Sequence, residues 1–308
     1  MLQFVVKRTI LNIAVILAVI LISFLIMHSV PGGPFDREKK LPELVKANVE
    51  KKFKLDLPLE QQFINYVEGI CYGDFGPSYK YTGRSVSDII GDAFPVSALL
   101  GMVSFLFCLL LGFAGGIISA LRADKTADYF VQFASICGIS LPSFVLSALL
   151  ISVFSIMFGI FPPALWEGAS YIILPSIALA MGPAAYLARL LRGSILDTFN
   201  ANFVSSAQAK GLSRQRIFIK HVLFNSLIPV VTVLGPLFAA LVTGSFVVEH
   251  IFSIPGMGKF FVLAVTDRDY PMIMGITIVY SVILVLANFA VDISYAFLDP
   301  RIRNVKNA

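Results

Sequence analysis

Six stretches of the chain carry no Asp, Glu, Lys or Arg: Ile10–Val30, Ala93–Leu121, Tyr129–Trp166, Gly168–Ala188, His221–Val248 and Tyr270–Val291. Each reaches or exceeds the roughly 20 residues that a helix needs to cross about 30 Å of hydrocarbon. The pattern predicts an all-α membrane protein of six transmembrane helices, with both termini on one side. Between the first and second spans the pattern changes. Pro31-Gly32-Gly33-Pro34 breaks the first helix, after which Leu44, Val45, Val49 and Phe53 recur at helical spacing. Leu59, Phe63, Val67 and Ile70 do the same after Pro58, and Gly73, Gly76 and Pro77 stop that run. A small helical domain over residues 31–94 is therefore expected between helices 1 and 2, since a structureless loop of this length is uncommon.

The remaining divisions follow from the same pattern. Residues 1–30 form the first span, 95–298 a core of five spans, and 299–308 a tail. Pro142 interrupts the third apolar stretch, and Gly159–Pro163 ends it. Gly112-Phe113-Ala114-Gly115-Gly116 has the small-xxx-small spacing that lets helix backbones approach closely. The first span is longer than the apolar core of a signal peptide, and His28-Ser29-Val30-Pro31 offers no small-x-small cleavage site, so it reads as a retained helix.

Charge sets the orientation. The chain is 57% hydrophobic and only 14% charged, with a net charge of +5. Lys7 and Arg8 precede span one, and Arg122 and Lys125 join spans two and three. Arg189, Arg192, Lys210, Arg214, Arg216 and Lys220 join spans four and five, and Arg301, Arg303 and Lys306 follow the last. The short loops on the other side hold only Lys259 and Arg268. The positive-inside bias places both termini and the Arg189–His221 loop in the cytoplasm and residues 31–94 outside. The positive charge thus belongs to membrane topology and not to nucleic-acid binding.

The Arg189–His221 segment holds the most distinctive local pattern. Small residues over Ser205–Ala209 end at Gly211, which is able to take the left-handed conformation that closes a helix, with Leu212 packing back over the last turn. Phe203, Ala207 and Lys210 share one helical face. Ser213 stands as an N-cap for a second helix, with Arg216 where a capping box would have Glu, and that run is expected to stop at Pro229. A pair of helices jointed by glycine on one aqueous face suits a docking partner, and anionic lipid contact is the alternative. A helix-turn-helix role on DNA fails sterically, because the second helix runs straight into a span.

Chemistry is sparse. Gly256-Met257-Gly258-Lys259-Phe260 falls short of a phosphate loop, with Ser253 where its first glycine belongs and Phe260 where Ser or Thr would bind magnesium. His28, His221 and His250 are isolated, Cys71, Cys108 and Cys137 are widely spaced, and no Gly-x-Ser-x-Gly elbow occurs. No catalytic, cofactor-binding or metal-ligating residue is expected. Asp292 is the lone acidic residue in a span-like region, near its cytoplasmic end. An ion-coupled transporter carries ionisable groups in its spans, and their scarcity here reads as a membrane path without its own engine; that class and a membrane-embedded enzyme or receptor are the runner-up readings.

At the cytoplasmic segment the chain resembles the permease subunits of bacterial ATP-binding-cassette importers for peptides. The likeness rests on Ala207-Gln208-Ala209-Lys210-Gly211-Leu212-Ser213, then His221-Val222-Leu223-Phe224-Asn225 and Leu227-Ile228-Pro229. It extends to Leu174-Pro175-Ser176, Tyr186–Ser194, Val248–Gly258, Asp267-Arg268-Asp269-Tyr270-Pro271 and Asp299-Pro300-Arg301. Pro31–Phe35, Gly73–Ser78, Ser85–Asp88 and Phe94–Ala98 are similar to the oligopeptide B-type subunit; dipeptide, nickel and glutathione relatives share the fold. Relatives usually carry Thr-Ala-Arg-Ala-Lys-Gly where this chain has Ser206–Gly211, so no arginine stands at position 208.

The resemblance implies a type I importer fold, with residues 193–226 as coupling region. The residues expected to contact an ATPase are Ser205, Ser206, Ala207, Gln208, Ala209, Lys210, Gly211, Leu212 and Ser213. It implies a second homologous permease, two cytoplasmic ATP-binding subunits, an extracytoplasmic peptide-binding protein and an oligopeptide substrate. It also implies membrane lipid around the spans of a bacterial inner-membrane protein, no nucleic acid, no cofactor, and ATP hydrolysis confined to the partners.

Overall fold

A computed structural model describes residues 2–29 and 56–298. The expected helix around Leu44–Phe53, the Pro31–Pro34 break and the 299–308 tail lie outside the described residues. Within them all regular structure is helical, apart from one isolated antiparallel bridge between Pro77 and Ser85. Twelve helices are named here in chain order. They are α1 Leu2–Ser29, α2 Leu59–Cys71, α3 Val86–Leu121, α4 Thr126–Ser140, α5 Ser143–Leu150 and α6 Ala169–Phe199. Then come α7 Asn202–Ala209, α8 Arg214–Ile217, α9 Phe224–Val242, α10 Phe246–Ile251, α11 Met257–Asp267 and α12 Tyr270–Leu298. Wide π-type turns extend α5 over Ile151–Met157 and join α8 to α9 over Phe218–Leu223.

Among the described residues, five helical stretches are long and apolar enough to span a membrane: Val5–Ser29, Val86–Leu121, Ala169–Phe199, Arg214–Ile251 and Tyr270–Ile293. The third apolar run makes the sixth only as a bent pair, Thr126–Ser140 with Ser143–Met157, at 110°. The cause is Pro142, which forces Leu141 into extended backbone (φ −82°, ψ 120°). Span boundaries also differ from the charge-free stretches. Helix α3 starts at Val86 because Ser85 and Asp88 cap it reciprocally, Ser85 Oγ accepting the Asp88 N–H at 3.0 Å and Asp88 accepting the Ser85 N–H at 3.3 Å. Helix α6 runs eleven residues past Ala188, so Arg189 and Arg192 are helical and not in a loop. Pro229, expected to end the helix after Ser213, sits inside α9 together with Pro236. A proline removes one N–H, and a membrane helix tolerates this where neighbouring groups satisfy the freed backbone.

The chain divides into two compact units, residues 1–97 with 255–285 and residues 98–254 with 286–308. In the first, Val86, Ile89, Ile90 and Ala93 of α3 pack on Met257 and Ala264 of α11 and on Met272, Ile273 and Ile276 of α12. Helix α2 meets α1 through Phe63 and Phe24, ring centroids 5.2 Å apart, and through a 3.2 Å contact between His28 Nε2 and Gln62 Oε1. The loop before α3 is fixed by one buried carboxylate. Asp269 accepts from Ser78 Oγ, from the Tyr79 and Lys80 N–H groups at 3.1 and 3.3 Å, and from the Met272 N–H at 3.4 Å. Burial, with the Asp269 charge next, pushes the Tyr79 hydroxyl well above the ordinary phenol range. Ser97 Oγ accepts the Met257 N–H at 2.7 Å, which satisfies an orphan donor at the start of α11.

In the second unit α6 is the central post. A Cβ on Gly116 would lie 2.9 Å from the Ala188 carbonyl oxygen, and one on Gly112 2.8–3.1 Å from the Leu187 side chain. The glycines of α3 thus admit α6 at backbone distance, as the small-xxx-small spacing implies.

Candidate coupling element

The charged segment after α6 folds as a helix, a glycine joint and a second helix. Helix α7 buries Val204 and Ala207 and exposes Asn202, Phe203, Ser205, Ser206, Gln208, Ala209 and Lys210. It closes at Gly211, whose φ is +76°. The Gly211 N–H bonds the Gln208 carbonyl at 2.9 Å, and the Leu212 N–H bonds the Ala207 carbonyl at 3.3 Å. This is the reciprocal closure in which a left-handed residue satisfies the last free carbonyls of a helix. The glycine and the inward lean of Leu212, which is half-buried, match the sequence reading.

Two details of that reading are corrected. Ala207 does not share an open face with Phe203: it is buried, whereas Phe203 is 45% exposed. The helix is phased by the apolar i, i+3 pair Val204–Ala207. The surface open to a partner is therefore Ser205, Ser206, Gln208, Ala209, Lys210 and Gly211, with Ser213 exposed beyond the joint. Ser213 occupies the N-cap position of α8 with extended backbone, but its side chain makes no capping hydrogen bond. Only its carbonyl serves the helix, accepting the Ile217 N–H at 3.0 Å.

The element is anchored to the spans on both sides. The rings of Phe199, the last residue of α6, and Phe218, just after α8, stack with centroids 6.0 Å apart. One turn further into the bundle, Ser194 Oγ donates to the Ser226 carbonyl at 3.0 Å, while Ser226 Oγ lies 3.2 Å from the Ser194 carbonyl. Ser226 Oγ also lies 3.1 Å from Thr198 Oγ1 and 2.8 Å from the Val222 carbonyl. On the opposite flank of α6, Arg192 meets Asp128 of α4 in a two-pronged pair, Nε to Oδ1 at 2.8 Å and an Nη to Oδ2 at 2.7 Å. Asp128 is fully buried and accepts as well from Ser119 Oγ, from Gln132 Nε2 at 2.9 Å and from the Asp124 N–H at 2.9 Å.

These buried charges were not expected from the sequence. Asp292 is not the lone acidic residue among the spans, since Asp128 lies in the first turn of α4 and Glu249 is fully buried in α10. The two-pronged pair joins residues 64 positions apart, so no local spacing reveals it. None of these groups forms a nucleophile and base pair. The arrangement leaves one polar face of α7 exposed and ties together the helices behind it.

Long apolar helices, a bent span and a helix–glycine–helix element on one loop define a multi-pass membrane protein with the fold of type I importer permeases. The solved structure of an amino acid ABC transporter with histidines superposes with a TM-score of 0.55 at 15% identity, covering 68% of this chain and 94% of that one. An inward-facing MetNI methionine ABC transporter gives 0.53 at 15% identity, over 68% and 96% of the two chains. These likenesses speak for the fold alone.

The profile described as binding-protein-dependent transport system inner membrane component matches residues 112–304, and its N-terminal companion matches residues 1–101. The chain belongs to this family of binding-protein-dependent inner-membrane transport components. It is 44% identical to the dipeptide transport system permease protein DppB of Bacillus subtilis, over 98% of both chains. It is 43% identical to the oligopeptide transport system permease protein OppB of Haemophilus influenzae, and 39% identical to that of Escherichia coli, each over 98% of this chain and all of the relative.

Proposed function

We propose that this chain is the membrane-spanning permease subunit of an ATP-driven peptide importer, forming half of the translocation path. The observation that carries the reading is near-full-length identity of 43–44% to dipeptide and oligopeptide permeases, and the left-handed Gly211 joint beside the exposed face of α7 supports it. The partners are a second homologous permease, two cytoplasmic ATP-binding subunits that hydrolyse the ATP, and an extracytoplasmic binding protein that delivers peptide. The exposed face of Ser205, Ser206, Gln208–Gly211 and Ser213 receives one ATPase, with Ala207 and Leu212 supporting it from behind. Both termini and this face lie in the cytoplasm, and residues 31–94 lie outside. A peptide crossing bare lipid would expose each backbone amide to a penalty of several kcal/mol. The spans therefore enclose a hydrated path whose access alternates between the two sides.

Oligopeptides are the proposed substrate, and the 44% identity to a dipeptide permease makes dipeptides the second reading. Copurification from the native membrane should bring down a second permease and ATPases. Proteoliposomes holding the whole assembly should accumulate labelled oligopeptide on addition of ATP and binding protein. Accumulation of dipeptide alone moves the assignment to the second reading. Uptake by the lone chain on a proton or sodium gradient would overturn both.

A further inference from the structure

Helix α6 is tied near its C-terminal end to two other helices through buried polar contacts, both within two turns of Phe199. The Arg192–Asp128 pair holds α4. The Ser194 Oγ bond to the Ser226 carbonyl, with the Ser226 hydroxyl packed beside the Ser194 carbonyl and Thr198 Oγ1, holds α9. Neither tie is a surface decoration: Asp128 and Ser226 are both fully buried. Carboxylate and guanidinium groups are costly to take out of water unless paired and hydrogen-bonded, and here four donor groups converge on one carboxylate. Between Ser194 and Ser226 lies the entire α7–Gly211–α8 element, so the serine contact closes the base of that excursion. The Phe199–Phe218 stack lies inside the same closed segment.

Resting on the permease reading above, we propose that Ser226 and Arg192 are positioning residues that make the ends of α4, α6 and α9 one lever. A push received on α7 then reaches three helices together and cannot be absorbed by bending one of them. The wide turn Phe218–Leu223 interrupts the α-helical hydrogen-bond ladder between α8 and α9. The serine tie sits just past that turn, on the first residues of α9, and bypasses it.

The test uses the complete assembly of both permeases, ATPases and binding protein in proteoliposomes. Peptide transported per ATP hydrolysed is measured beside complex recovery. Ser194→Ala together with Ser226→Ala removes both hydroxyls of the tie and should lower peptide per ATP at least fivefold in the recovered complex. An unchanged ratio in a fully recovered complex would overturn the proposal. Where the paired variant lowers recovery, a second variant reads the same question. With Cys71, Cys108 and Cys137 replaced by alanine, Ser194→Cys together with Ser226→Cys is oxidised to a disulfide.

The disulfide restores covalently the tie that the two substitutions remove, so the oxidised form should carry more peptide per ATP than the reduced form. Loss of transport on oxidation, restored by reductant, would mean that α6 and α9 must part, and the proposal fails. Arg192→Lys retains one charged prong and should keep more of the ratio than Arg192→Gln; equal ratios argue against a positioning role. Wild-type assemblies run in parallel separate this outcome from failure of the permease reading, which would show as no peptide uptake at all.

Discussion

Gly211 offers the sharpest quantitative test of the coupling element. A Cβ built there meets nothing within 4 Å, so no steric clash with neighbours contributes. The only penalty is that of placing an L-residue at φ +76°. That penalty is roughly 1–2 kcal/mol for an ordinary side chain and larger for a β-branched one. A loss of 1–2 kcal/mol lowers the ratio of closed to open joints about 5- to 30-fold. Gly211→Val should therefore reach the membrane normally and reduce peptide-stimulated ATP hydrolysis of the assembled complex by up to about tenfold. Gly211→Asn should keep most of the activity, because asparagine tolerates the left-handed region. Gly193→Ala, also in open space but within helix α6, controls for the loss of a glycine as such. The measurement is the stimulated hydrolysis rate normalised to complex recovered. Full stimulation in Gly211→Val, or equal losses in the valine and asparagine variants, would refute the role of backbone handedness at this joint.

Other variants probe the scaffold. In Gly101→Ala the new methyl would lie 2.3 Å from the Leu241 carbonyl oxygen and 2.4 Å from the Val242 Cα, so thermal melting of the purified protein should show a loss of about 1–3 kcal/mol. Gly91→Ala meets open space and should melt like the parent. Asp269→Ala removes the common acceptor of the Tyr79, Lys80 and Met272 N–H groups, and limited proteolysis should then cut the 73–85 loop several-fold faster. Lys80→Cys, with Cys71 replaced by serine, should react with an impermeant thiol reagent added outside intact cells; labelling only after membrane disruption would reverse the topology.

The apolar arithmetic made the spans legible, because a stretch without charge that is long enough to cross hydrocarbon has few other uses. Gly211 was legible for a similar reason: a glycine closing a run of small residues is the usual signature of a left-handed helix end. The phase of α7 was not legible. Phe203 and Val204 are both apolar, and only packing decides that Val204 with Ala207 turns inward. The helix through Pro229 was misjudged because breaker rules come from helices in water, where a lost N–H partner has an aqueous alternative. The ties behind the element were invisible for a further reason. Ser119, Asp128 and Arg192 come from three different helices, and each alone reads as an ordinary residue at a loop edge.

The buried charge bears directly on the class of transporter. A carboxylate that binds or relays a coupling ion has to exchange partners during the cycle, so it must keep an open coordination position toward a cavity. Asp128 does the opposite. Both of its oxygens are taken by the Arg192 guanidinium, and Ser119, Gln132 and the Asp124 N–H fill further acceptor sites. Freeing it would strand an arginine and a carboxylate inside the protein, a loss of several kcal/mol with no compensating ligand in view. Glu249 and Asp292 are likewise partnered. A charge held this way ties α4 to α6. On the permease reading proposed above, the free energy for transport arrives from partner subunits, and the exposed face of α7, backed by buried Val204 and Ala207 and closed by Gly211, is the surface proposed to receive it.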